Sequence, residues 1–178
     1  MRTPEESDPT DAVFARLGDA SIRRAYGLAG YLLGDAMEAE DATQETMARA
    51  WRTRRSLRDP AAFEVWLDRI LVNICRDRLR RRRTVRMVDL EASGETEARD
   101  PFRDFLARDE LGSALEALTP DQRVVVVLRF WRDLSLEQIS DRLGWPLGTV
   151  KPRLHHAMAA MRGRLESDAE GELGEVVR

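Results

Sequence analysis

The sequence predicts an all-α protein made of two small helical domains joined by a flexible acidic linker. Three observations predict it. Apolar residues recur at helical spacing through two long segments and nowhere settle into strand alternation. The second segment carries two capping-box signals, Thr119-Pro120-Asp121-Gln122 and Ser135 with Gln138 three residues on. Between the segments the periodicity decays into an acidic stretch containing Gly94 and Pro101. The resulting division is a polar N-terminal tail (1–20), a first module (21–84), a linker (85–107), a second module (108–166) and an acidic C-terminal tail (167–178).

The first module opens with IRRAYGLAGYLL, where Ile22, Tyr26, Ala29 and Leu33 fall near helical spacing and Gly34 suits a left-handed cap. Asp35 reads as the next N-cap, with Glu38 completing a capping-box variant. The helix that follows sets Ala39, Ala42, Met47, Ala50 and Trp51 on one side. Asp41, Gln44, Glu45 and Arg49 fall on the other. Asp59-Pro60 breaks the chain before a long helix whose stripe is Phe63, Trp66, Leu67, Ile70, Leu71, Ile74 and Leu79. Trp51, Phe63 and Trp66 could stack on bases, but helical spacing favours a place in the core. Asn73, polar within an apolar run, either bonds locally or reads something outside.

In the second module, VVVVLRFW follows the Thr119 cap; its valines favour strand, but the cap and the length decide for a buried helix. Ser135 caps LEQISDRL, which Gly144 ends. A short helix, a glycine turn and a second helix describe a helix-turn-helix. Ile139, Leu143, Val150 and Leu154 would lock the pair, leaving Lys151, Arg153, His155 and His156 to project towards base edges and phosphates. A plain helical hairpin with a basic face has the same spacing. Pro152 fits if Thr149 is the N-cap, because first-turn amides have no intrahelical acceptor and Gly148 then lies outside the helix. Two costs remain: Lys151 precedes a proline, and Thr149 can cap only the Lys151 amide.

Composition limits the function classes. The chain has 178 residues, one cysteine (Cys75) and two histidines, so it holds no internal disulfide and no thiolate metal cluster. Its longest apolar run, VVVVL, is too short to span a bilayer, and its polar acidic N-terminus is no secretory signal. A cytoplasmic protein without membrane insertion is expected. The net charge of −3 conceals segregation: Arg76 to Arg86 holds seven arginines against one aspartate, and Met87 to Glu110 holds eight acids against three arginines. Arginines at a helix C-terminus suit the macrodipole. Seven in eleven residues exceeds what capping needs and points to phosphate contacts.

The strings LLGDAMEAEDATQETMARAW, FEVWLDRILVNICRDRLRRRR, LTPDQRVVVVLRFWRDLSLEQISDRLG and PLGTVKPRLHHA resemble the extracytoplasmic-function (ECF) sigma factors of bacterial RNA polymerase, sigma-70 family. The resemblance covers about residues 21–166, with both modules in order. It implies that Asp41, Gln44 and Glu45 dock on the β′ clamp helices of core RNA polymerase, with the β subunit a further contact. The loop from Arg55 to Phe63, with Asn73, Asp77 and Arg78, would open and read the −10 element of promoter DNA, and Arg80, Arg81, Arg82 and Arg83 would hold nearby phosphates. Thr149, Lys151, Pro152, Arg153, His155 and His156 would meet the −35 element. The linker would thread towards the RNA exit channel, and an anti-sigma factor is an implied partner. No catalytic residue, metal or cofactor is called for.

This chain departs from the family at several points. The family commonly has serine at Pro152, arginine at His156, a basic residue within Met158–Met161, and larger apolar residues at Ala42, Thr43 and Met47. The first group leaves fewer contacts for −35 readout, each good base contact being worth about 1–3 kcal/mol. Met158–Met161 could be core or a surface that a partner covers. The alternative reading is a helix-turn-helix regulator that binds duplex DNA without serving as a polymerase subunit. An enzyme acting on nucleic acid would need paired metal-binding carboxylates, and Asp41 and Glu45 have no partner cluster.

Overall fold

The computed structural model describes the backbone of residues 9–89 and 110–176. Seven α-helices are found among the described residues: α1 (Pro9–Leu33), α2 (Ala36–Thr53), α3 (Phe63–Asp89), α4 (Glu110–Glu116), α5 (Pro120–Phe130), α6 (Leu136–Leu143) and α7 (Leu147–Val176). Single 3-10 turns at Arg54–Ser56 and Pro60–Ala62 connect α2 to α3. No strand occurs among the described residues, as the spacing predicts.

The caps behave largely as their chemistry dictates. Gly34 and Gly144 take φ of 69° and 66°, the left-handed region that a side chain disfavours, and end α1 and α6 there. Thr119 and Ser135 each close a full capping box: the Gln122 and Gln138 amides donate to the hydroxyls at 3.3 and 3.2 Å, and the glutamine side chains accept in return. Asp35 accepts from the Glu38 amide at 2.7 Å, but the box is not reciprocal. The Glu38 carboxylate turns instead to Arg82, 2.5 Å away, because a guanidinium is the stronger partner.

Several boundaries and faces differ from the sequence expectation. Helix α1 starts at Pro9, well inside the segment read as a tail; proline is tolerated in a first turn. Its buried face is Ala25, Leu28, Ala29, Leu32 and Leu33, whereas Ile22 and Tyr26 are 43% and 38% exposed. Small alanines let α2 approach closely, so the face with two leucines between alanines wins over the bulkier one. Trp51 is not core: it is 48% exposed, with the Arg54 guanidinium 4.2 Å from its ring centre. Phe63 is buried and Trp66 half-buried, their rings 6.1 Å apart. Helix α3 continues to Asp89, past the expected linker start at Val85; the rest of the linker, 90–107, lies outside the described residues. The acidic C-terminal segment continues α7 to Val176.

The largest correction concerns the opening of α7. The Thr149 and Val150 amides donate to the Pro146 carbonyl at 2.7 and 3.2 Å, so Pro146 is where the helix begins and Thr149 is already inside it. Gly144 reverses the chain and Pro146 presets the helical φ, which together start α7 before threonine can cap it. Pro152 therefore sits in the second turn and withholds a donor from Gly148, four residues back. Restoring that donor with Pro152→Ala is expected to raise stability by about 1–3 kcal/mol, read as a higher midpoint in thermal denaturation followed by circular dichroism. An unchanged midpoint would mean that the turn has already absorbed the proline.

One apolar core crosses both modules. Leu28, Leu32, Leu71, Val72, Val124, Val125, Leu128, Ile139 and Val150 are fully or almost fully buried in a single cluster, and each large aliphatic contributes about 1.5–3 kcal/mol. The valines of α5 all lie in helix, as the cap and length require. Cys75 is buried in the same cluster, and burial pushes its thiol up to about 12, so it is unreactive in the folded chain. A second cluster joins α4, α5 and α7 through Ala114, Leu115, Leu118, Val126, Ala157 and Met161.

Candidate nucleic-acid and polymerase interface

The outward face of α2 presents the three residues expected to dock a partner. Asp41 and Gln44 are exposed, Gln44 donating to Glu40 at 3.1 Å. Glu45 is half-buried and less free: Arg49 lies 2.6 Å from one carboxylate oxygen and Arg78 3.1 Å from the other. Partial burial pushes its carboxyl up, but the Arg78 hydrogen bond and the charge of Arg49 outweigh it and hold the carboxyl below its ordinary value. The face is thus one exposed acid, one amide and one acid tied to α3.

Helix α3 carries the basic block in two populations. Arg78 turns inward to Glu45 and to the Glu38 carbonyl, and Arg82 turns inward to Glu38 and to the Leu33 carbonyl at 2.9 Å. Those two hold α3 to α2 and close the end of α1. Arg81 and Arg83 are exposed and have no ion-pair partner among the described residues. Arg80 lies 3.3 Å from Asp121 of α5. An open groove of about 970 Å³ beside them includes Asp41, Asp77 and Arg123 in its walls. Asn73 is exposed and its side chain makes no hydrogen bond among the described residues, so it does not bond locally. Asp77 is also exposed.

The α6–α7 pair is a helix-turn-helix. Ile139 and Val150 are wholly buried between the helices, with Leu143 and Leu154 packed beside them, as the spacing predicts. Lys151, Pro152, His155 and His156 are exposed along α7, the two imidazoles 5.8 Å apart. Thr149 is half-buried. Arg153 does not project outward as expected. Its guanidinium lies 4.3 Å from the Trp145 ring centre and 3.0 Å from Asp121. In the run from Met158 to Met161, Met161 is core, while Met158 is 37% exposed. Among the described residues no group of three or more His, Cys, Asp or Glu could hold a metal ion, and no helix is long and apolar enough to cross a membrane.

The family model for sigma-70 region 2 matches residues 19–85, and that for sigma-70 region 4 matches residues 114–163. The ECF RNA polymerase sigma factor SigE of Mycolicibacterium smegmatis is 36% identical over 180 residues, spanning 91% of this chain and 70% of that one. The chain belongs to the ECF sigma factors. SigW of Bacillus subtilis is 32% identical across 85% of this sigma factor and 88% of its own length. Two solved structures share the fold. The sigma factor RpoE of Bartonella quintana, in complex with the anti-sigma factor NepR, has a TM-score of 0.65 at 25% identity and covers 87% of this chain and 98% of its own. CnrH, in complex with the cytosolic domain of CnrY, has a TM-score of 0.60 at 26% identity over 89% and 88%.

Three residues of this sigma factor escape sequence reasoning. Asp68 is 4% exposed and is held by Arg132 at 2.7 Å and by Arg142, both from the second module. A carboxylate flanked by Leu67 and Ile70 on the apolar side of a helix was the available signal, since such an acid is buried only when paired. Arg76 and Asp121 meet at 3.1 Å. Asp121 reads in sequence as one more acid at a helix start, and nothing local reveals its distant partners.

Proposed function

We propose that this ECF sigma factor binds core RNA polymerase and directs promoter-specific initiation by recognising −10 and −35 elements through its two modules. The observation that carries the reading is the pairing of a region 2 and a region 4 module, in that order, on one chain. A stand-alone helix-turn-helix regulator has no use for the first. Catalysis of synthesis then belongs to the polymerase, and the chain is a binding subunit acting in the cytoplasm. Anti-sigma control is part of the reading, supported by the structural neighbour RpoE, which is bound to the anti-sigma factor NepR.

The residue roles follow from exposure and charge. Asp41 and Gln44 offer the polymerase a polar docking face, with Glu45 steadied at its edge. Arg81 and Arg83 are placed for phosphates, whereas Arg78 and Arg82 hold the helices that present them. Asn73, lacking an internal partner, is placed to hydrogen-bond an unstacked base, with Asp77 one turn on. In α7, Lys151, His155 and His156 face duplex DNA, with Thr149 and Pro152 shaping the first turns and Arg153 reaching phosphate once released from Asp121.

Run-off transcription with purified bacterial core polymerase, with and without this chain, tests the reading on genomic promoter fragments. Promoter-specific transcripts are expected only when the chain is added. No transcripts, together with tight binding of the chain alone to a palindromic duplex, would favour the regulator instead. Asn73→Ala is expected to lower promoter opening, followed by permanganate footprinting, by about 1–3 kcal/mol without weakening core binding. Equal losses in both would remove Asn73 from the −10 site.

A further inference from the structure

An open cleft of about 500 Å³ lies where the end of α3, the start of α5 and α7 meet, a volume within the range of small-molecule sites. Arg80, Arg83 and Thr84 reach it from α3, Thr119 and Asp121 from the cap and first turn of α5, and Arg153 from α7. Asp121 is the one acid among the described residues that line it. Its carboxylate lies 3.1 Å from Arg76, 3.3 Å from Arg80 and 3.0 Å from Arg153. One negative charge therefore faces three guanidiniums. The match is incomplete in geometry as well, because the Arg76 Nε is buried and makes no hydrogen bond despite its distance from the carboxylate. Arg83 adds a fourth cation, with no ion-pair partner among the described residues.

An ion-pair network that only held helices together would balance its charges, since gathered like charges oppose folding. Four arginines against one aspartate leave a surplus of three positive charges here. The donors to meet an anion are present. A guanidinium carries five N–H groups, and Arg80 spends one nitrogen on Asp121 at 3.3 Å. The Thr119 hydroxyl accepts from the Gln122 amide and keeps its own proton to donate. Planar guanidinium forks match phosphate oxygens, and only linked phosphates bring enough charge to meet the surplus in one compact molecule. We propose that this cleft binds a free polyphosphate anion, inorganic or the phosphate chain of a nucleotide, gripped by Arg80, Arg83, Arg153 and the Thr119 hydroxyl. The site goes beyond promoter recognition but shares Arg83 with the surface assigned to DNA phosphates, so an occupied cleft competes with DNA for that side chain. Arg81 separates the two uses: it lines the larger groove and not this cleft.

Isothermal titration calorimetry on the full chain, at a fixed ionic strength of about 0.15 M, tests the site with sodium triphosphate, ATP and sodium sulfate as probes. Triphosphate is expected to bind one to one and at least about tenfold more tightly than sulfate. Arg83→Ala is expected to weaken triphosphate about tenfold, the loss of one charge-assisted contact, and Arg80→Ala to do the same independently. Arg81→Ala and Arg23→Ala remove the same charge at exposed positions outside the cleft, and are expected to change the affinity by about twofold or less. ATP binding at least as tight as triphosphate assigns the site to nucleotides, and weaker ATP binding assigns it to inorganic polyphosphate. Equal losses for Arg83→Ala and either outside variant would reduce the cleft to a diffuse basic surface and overturn the proposal. Triphosphate no tighter than sulfate overturns it too, and that comparison on the unsubstituted chain decides alone should a variant lose its helical circular dichroism. Failure of the run-off assay would remove the sigma-factor reading and leave this result intact, since the titration needs neither polymerase nor promoter.

Discussion

Replacing Arg81 and Arg83 together by alanine lowers the slope of log promoter affinity against log salt by about 1.4–1.8, the share expected of two phosphate contacts. Affinity of the polymerase holoenzyme for promoter DNA falls about tenfold or more at physiological salt, because charge-assisted contacts to phosphate are the strong ones. Helical content and thermal midpoint stay unchanged, since neither guanidinium has an ion-pair partner among the described residues. Replacing Arg78 and Arg82 gives the opposite signature. Arg82 bonds Glu38 and the Leu33 carbonyl, and Arg78 bonds Glu45, so the pair costs about 1–3 kcal/mol of stability and lowers the midpoint. Filter binding across a salt series, with melting curves on the same samples, separates the two. An unchanged slope for the Arg81 and Arg83 variant would leave the block as helix-end electrostatics alone.

Ile139→Ala carries the largest expected stability loss. The side chain is wholly buried where α6 meets α7 and belongs to the cluster that spans both modules. Truncation removes its transfer free energy and leaves a cavity, a loss of about 2–5 kcal/mol. For a chain of this size that lowers the midpoint by roughly 5–15 °C. Denaturant titration checks the magnitude. A single cooperative transition is expected, because the core is continuous. Two separated transitions would show that the modules unfold independently.

Much of the fold was legible because its signals are local. Thr119, Ser135, Gly34 and Gly144 mark helix ends through bonds reaching only three to five residues, and they fall where expected. The stripe of α3 and the Ile139–Val150 lock follow from spacing on a helix. The errors share a different cause. Ile22 and Tyr26 looked as apolar as Leu28, and only the alanine-lined approach of α2 decides which face is buried. Trp51 is equally ambiguous until a neighbour is present to cover it. At Pro152 the competing signals were all local, yet Pro146 started the helix before Thr149 could cap it.

The candidate site divides along the same line. The sequence alone determined the two helical modules, the residue types on α2, α3 and α7, and the concentration of arginines at the end of α3, since these depend on periodicity, capping and charge. Only the tertiary structure decided which arginines are spent. Arg78 and Arg82 hold helices together, Arg81 and Arg83 face outward, and Arg80 and Arg153 converge on Asp121. A guanidinium chooses its partner by geometry within about 4 Å. That geometry is set by helices packed from distant parts of the chain, which no local reading of arginines can supply.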